Sequence, residues 1–181
     1  HVGGVAYHES SGNAYIPANE SKLYVYSSKD IANANDGSTL KHCAEIDLRK
    51  LKDRPDTISF VNIHENSLYV GAFHLPSEGY HAKPEIVKYQ LNDDGTVNTK
   101  VAPKVYNIPD KVQGFDIVEK NGTEYFIFST SFGRSNDSKL LICTPDKDGN
   151  MPTLKTIKVP CMAEEVSVNQ DGKLGIVFES D

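Results

Sequence analysis

Three polar stretches hold most of the residues that could do chemistry. "HLPSEGYHAKP" (74–84) carries His74, Glu78, Tyr80 and His81, and "SFGRSNDS" (131–138) carries Arg134 and Asp137. "PCMAEE" (160–165) and the later "FES" add Glu164, Glu165 and Glu179, while "PDKVQG" adds Gln113. The imidazoles and carboxylate of His74, Glu78 and His81 are donor types that zinc accepts, although their spacing matches no established zinc motif. The carboxylates of "AEE" and "FESD" are the hard oxygen donors that Ca²⁺ takes. Nucleophilic chemistry has no basis, since there is no G-x-S-x-G elbow and no glycine-rich phosphate loop leading into a helix. The Ser, Arg and Asp of "STSFGRSNDS" show no triad logic. No residue is therefore assigned a catalytic or metal role. The expected ligand-binding set is His74, Tyr80, His81, Gln113, Arg134, Asp137, Glu164, Glu165 and Glu179.

What positions these residues is a repeat. A first element reads "GGVAY" from Gly3, "SFVNI" from Ser59, "GFDIV" from Gly114 and "EVSV" from Glu165. After a turn-rich gap a second follows: "NAYIPA" from Asn13, "LYVGAF" from Leu68, "EYFIFST" from Glu124 and "LGIVFES" from Leu174. The third, "KLYVYS", "EIVKYQL" and "KLLICTP", and the fourth, "AEIDL", "KVYNIP" and "KTIKVP", occur in the first three copies. The period is about 50–56 residues, the range of four-stranded repeat units. Each element is short, rich in Val, Ile, Tyr and Phe, and bounded by turn formers, which is strand chemistry. "NDDG" and "DKDG" fall between third and fourth elements, where a tight turn is needed. Helical periodicity is nearly absent; "AEIDLRKLKD" hints at it but reads equally as a strand leading into a polar linker.

Four antiparallel strands per unit, repeated at this spacing, predict an all-β chain folded as a β-propeller. A lone four-stranded sheet has two apolar faces, and stacking neighbouring sheets about an axis buries both. The expected blades are 1–52, 53–109, 110–160 and a half blade, 161–181. About three and a half blades do not close a ring, so the sequence reads as part of a larger propeller of about five to seven blades. The remainder of that propeller is then an expected partner.

Composition narrows the partners further. A formal net charge of −6 and no basic run argue against nucleic acid or an anionic membrane surface. No apolar run approaches bilayer length. Cys43, Cys143 and Cys161 lack metal spacing and are odd in number; three partly buried thiols is one reading, one disulfide with a free thiol the other. Sequons at Asn19, Asn121 and Asn136 fall where loops are expected, in a number the composition supplies nearly by chance. "VGG" at the start suits close backbone packing at the narrow inner edge of a blade.

The cadence "IPDKVQGFDIVEKNGTEYFIFSTSFGR" followed by "VPCMAEEVSVNQDGKLGIVFES" resembles secreted bacterial β-propellers, broadly similar to the NHL-repeat and gluconolactonase-like superfamily. The resemblance implies an extracellular or cell-surface location. It also implies a divalent metal over the channel, held by an inner-strand Glu with Asn and Asp from other blades. Glu165 could take the Glu role, but no Asn and Asp partners align. Propeller topology places the second-to-third-strand loops and the starts of successive blades on one face, which gathers the ligand-binding set. The leading expectation is a non-enzymatic module that binds a protein, small molecule or carbohydrate on that face, with no cofactor. The alternative is a metal-dependent, lactonase-like hydrolase centred on Glu165 and Gln113, with Ca²⁺ or Zn²⁺ at the central channel.

Overall fold

The computed structural model describes residues 4–18 and 21–179. Val2, Gly3, Asn19 and the final "SD" of "FESD" lie outside the described residues. The first blade comprises β1 (Ala6–His8), β2 (Asn13–Ala18), β3 (Lys22–Ser27) and β4 (Ala44–Asp47). The second comprises β5 (Phe60–His64), β6 (Ser67–Gly71), β7 (Glu85–Gln90) and β8 (Lys104–Asn107). The third comprises β9 (Val112–Lys120), β10 (Thr123–Thr130), β11 (Ser138–Cys143) and β12 (Thr153–Val159). The fourth holds β13 (Ala163–Val168) and β14 (Leu174–Phe178). Within each sheet the strands lie in chain order and pair antiparallel throughout. This is the propeller blade grammar expected from the sequence.

Helix is confined to one short segment, α1 (Ser28–Ala32), inside the long insertion between β3 and β4, and to two single 3₁₀ turns, Leu48–Lys50 and Pro76–Glu78. Ser27 caps α1 by accepting from the Asp30 amide, and the Asp47 carboxylate caps the first 3₁₀ turn through Arg49. "AEIDLRKLKD" thus divides into a strand and one 3₁₀ turn. Among the described residues no helix is long and apolar enough to cross a membrane.

Period-2 alternation decides which side chains meet between blades. One face of blade one (Ala6, Tyr15, Leu23, Val25) packs on Val61, Leu68, Val70 and Val87 of blade two. The other face of blade two (Phe60, Tyr69, Ile86, Tyr106) packs on Phe115, Phe126, Phe128 and Cys143 of blade three. The second contact is largely aromatic: Phe60 and Tyr69 meet Phe115 edge-on at 5.9 and 6.0 Å between centroids. Such pairs add about 0.5–1.5 kcal/mol each beyond the area they bury.

Polar contacts lock the stack in register. The Tyr15 hydroxyl donates to the Gly95 carbonyl at 2.7 Å, fixing the "NDDG" turn of blade two against blade one. One blade on, the Asn107 amide donates to the carbonyl of Gly149 in "DKDG" at 2.9 Å. On the inner strands Asn62 donates to the Phe115 carbonyl at 2.6 Å, and Asp116 accepts from the Val168 amide at 2.6 Å. Each of the first three blades is thereby tied to the next. The three cysteines are free thiols: Cys43 is exposed, Cys143 buried and Cys161 half-buried.

Candidate functional site

A cleft of about 950 Å³ opens where the second strands of all four blades end. Blade one contributes Pro17 and Ala18, blade two Phe73 and Tyr80, blade three Ser131 and Phe132, and blade four Phe178 and Glu179. The starts of the inner strands close its floor with Ser59, Gln113, Glu164 and Glu165. It therefore lies on the face to which propeller topology assigns the second-to-third-strand loops and the starts of successive blades.

A repeated backbone device builds the floor. Lys111 and Met162, each just before an inner strand, take left-handed conformations with φ of 65° and 64°. The Lys111 carbonyl accepts from the Ser131 amide at 3.1 Å, and the Met162 carbonyl accepts from the Glu179 amide at 2.9 Å. Each contact pins the end of a second strand to the start of its own blade. Side chains reinforce it. Ser138 donates to Ser131 at 2.9 Å and accepts from the Ala163 amide at 3.1 Å, joining blade three to blade four beneath the cleft. Gln113 donates to the Ser131 carbonyl at 3.2 Å, and the Ser59 hydroxyl accepts from the Phe73 amide at 2.9 Å.

Glu165 is the most perturbed acid. Its carboxylate lies between two glycines: a Cβ on Gly114 would come within 2.5 Å of one carboxylate oxygen, and one on Gly4 within 2.9 Å of the other. The bare backbone of blades one and three thus makes room for a side chain of blade four, a sharper form of the packing expected for "VGG". The Val166 amide donates to Glu165 Oε1 at 3.1 Å. Burial nonetheless dominates and pushes the Glu165 carboxyl up to about 7, with Asp116 and Glu164 adding to the rise. Glu164 is also raised, first by burial and then by the charge of Glu179.

Of the expected binding set, Tyr80, Gln113, Glu164, Glu165 and Glu179 line this cleft together. The other four do not. His74 turns to Asp110, with Nδ1 2.6 Å from Oδ1. His81 is exposed, Arg134 is exposed on its loop, and Asp137 pairs with Lys158 at 3.5 Å between two exposed side chains. Sequence reasoning missed the cleft aromatics Phe73, Phe132 and Phe178. The signal was present: an aromatic follows or ends the second strand in "GAF", "TSF" and "IVF", in three of the four repeats.

The residues do not fit the divalent metal that the lactonase-like resemblance implies. Among the described residues no three His, Cys, Asp or Glu side chains converge as a metal-binding group. Both Glu165 oxygens are packed against Gly4 and Gly114, and Glu165 Oε1 accepts from the Val166 amide. The trio His74, Glu78 and His81 does not assemble either.

No family model and no curated protein matches the chain. Solved structures do. The β-propeller domain of Cps50 (Swd1) from Myceliophteria thermophila superposes with a TM-score of 0.51 at 11% identity, covering 99% of this chain and 49% of that one. The WD40 β-propeller domain of Doa1 (TM-score 0.42, 10% identity, 97% and 75% covered) and U3-55K (0.43, 10%, 98% and 73%) are also similar. At such identity the likeness concerns fold alone, and this chain spans about half the length of the Cps50 propeller. The chain is a β-propeller assembly of four-stranded antiparallel blades.

Proposed function

We propose that the chain is a non-enzymatic binding module whose ligand enters the cleft at the ends of the second strands. One observation carries the reading: all four blades contribute to a single concave site on a braced scaffold. Its floor of paired Ser, Gln and backbone groups is already formed, so binding requires little ordering. Propellers serve widely as interaction scaffolds, and the mouth of the channel is where their loops converge.

A metal-dependent, lactonase-like hydrolase is the second reading, favoured by the inner-strand position of Glu165 beside the channel. Its weakness is the donor set, which does not converge. Metal analysis of the purified protein separates the two: a stoichiometric divalent ion near Glu165 supports the hydrolase.

The binding reading is tested by a small-molecule fragment screen read by amide chemical shifts, on the wild type and on Ala18→Trp, which fills the cleft from blade one. Hits should shift Gln113, Ser131 and Glu179 and vanish in the plugged variant. Hits that map only to the opposite face, around the His8–Ser11 turn, would overturn it.

A further inference from the structure

Resting on the cleft reading above, we infer that the ligand presents an organic cation on an apolar stem, an ammonium or guanidinium group such as a lysine or arginine side chain carries. The cleft has two chemically different walls. On one, Phe73 meets Tyr80 edge-on at 5.0 Å between centroids and lies 6.4 Å from Phe132. On the other, Glu164, Glu165 and Glu179 stand beside Phe178. Among the described lining residues there is no Lys, Arg or His. Among the described residues none of the three carboxylates has a salt-bridge partner.

Each alternative ligand class fails on one of these facts. An anion meets the carboxylates of Glu164 and Glu179 and, among the described residues, no base. A bare metal ion needs several oxygen donors at one point, and these donors do not converge. A purely apolar ligand leaves Glu164 and Glu179 desolvated and still repelling one another. An organic cation offsets that repulsion and also uses the ring faces, which attract weakly hydrated positive charge. Its stem lies against Val5, Ile58, Met162 and Val177 in the same cleft.

The test titrates probes of one shape and different charge into the protein, read by amide shifts. The probes are the N-acetyl, N-methylamide derivatives of lysine, arginine, norleucine and glutamate, with n-butylamine as a free amine. The lysine and arginine probes should bind about tenfold more tightly than norleucine, as expected for a half-buried cation beside carboxylates and rings. The glutamate probe should not bind. Glu164→Gln with Glu179→Gln should reduce the cation preference to about threefold or less, weakening the lysine and arginine probes and easing norleucine binding as the repulsion between the two carboxylates is removed. Butylamine matching the lysine probe marks a free amine as ligand, and weaker butylamine marks a peptide-borne cation. Norleucine binding as tightly as lysine, with both lost in Ala18→Trp, overturns the cation inference and leaves the cleft reading standing. If no probe shifts a lining residue, the inference falls; fragment hits there would still support the cleft.

Discussion

Glu165 should set the pH dependence of stability. Its folded carboxyl titrates at about 7 against an ordinary value of 4.5, so the fold favours the neutral form. Below 4.5 the folded and unfolded chains are both protonated there, and the group imposes no penalty. As pH rises from 4.5 to 7 the unfolded chain ionises first, so stability falls; above 7 the whole penalty is present. A difference of about 2.5 pH units at about 1.4 kcal/mol each sets a ceiling of about 3.5 kcal/mol. Water reaching the half-buried side chain from the cleft lowers this to about 2 kcal/mol. Glu165→Gln removes the ionisation and retains one oxygen for the Val166 amide, while its NH₂ group meets an amide donor at a cost of about 1 kcal/mol. The stability difference between variant and wild type should therefore move by about 2 kcal/mol between pH 4 and pH 8, in the variant's favour at the alkaline end. For a chain of this size that corresponds to about 4–8 °C in Tm. Calorimetric melting of both proteins at constant ionic strength measures it. Asp47, Asp94 and Asp146, which hydrogen bonds hold below their ordinary values, act with the opposite sign at low pH but cancel in the difference. A Tm difference that stays constant from pH 4.5 to 7 would refute the reasoning.

Three further changes probe the frame. Gly71→Ala drives a Cβ into the Phe60 ring and should cost about 2 kcal/mol in urea unfolding; a cost below about 0.5 kcal/mol contradicts the packing. Tyr69→Phe removes a buried hydroxyl that has no hydrogen-bond partner among the described residues, so stability should hold or rise by up to about 1 kcal/mol, and a loss would reveal a missed hydrogen bond. Asp116→Asn should lower the titration midpoint of Glu165, because Asp116 is one of the charges raising it; carboxyl-detected NMR that finds no downward move counts against that coupling.

Blade grammar was written plainly in the sequence. All fourteen strands lie where the short apolar runs between turn formers place them, because strand chemistry and DG-type turns are local signals. α1 was not legible: Ser28–Ala32 buries no side chain, so no apolar stripe marks it. The site was half legible, for a geometric reason. Gln113, Glu164 and Glu165 sit on strand starts, which the repeat fixes, and the ends of second strands fix Glu179. His74, His81, Arg134 and Asp137 sit in loops, and a repeat says nothing of where a loop side chain turns. His74 was captured by Asp110 on the next blade start, a contact no spacing rule contains. The buried His8, bonded to nearby Ser11 at 2.8 Å and to Asn66 at 3.1 Å, was hidden likewise, since Asn66 lies 58 residues away in sequence.

The two walls of the cleft differ in stiffness as well as chemistry. Phe73 and Phe132 follow strands paired on both sides, β6 between β5 and β7 and β10 between β9 and β11. Their bases are held by Ser59 and by the Ser131–Ser138 link. Phe178 ends β14 and Glu179 follows it, and β14 pairs with β13 alone among the described residues. Beside it runs a mostly apolar groove of about 530 Å³ lined by Ile127, Leu140, Ile142, Ile157 and Leu174. At the other interfaces third-strand residues fill this position, Val87 and Tyr89 against blade one and Cys143 against blade two. Where β14 stands without a second neighbour, fewer buried contacts mean a lower free energy for local opening, and the acidic wall then gives way before the aromatic one. A ligand spanning the cleft contacts both walls, and one that adds contacts to β14 orders the weaker sheet at some cost in affinity. Any strand that pairs with β14 and fills the groove would meet that cost in advance. Through the wall it stiffens, covering this sheet strengthens binding at the cleft.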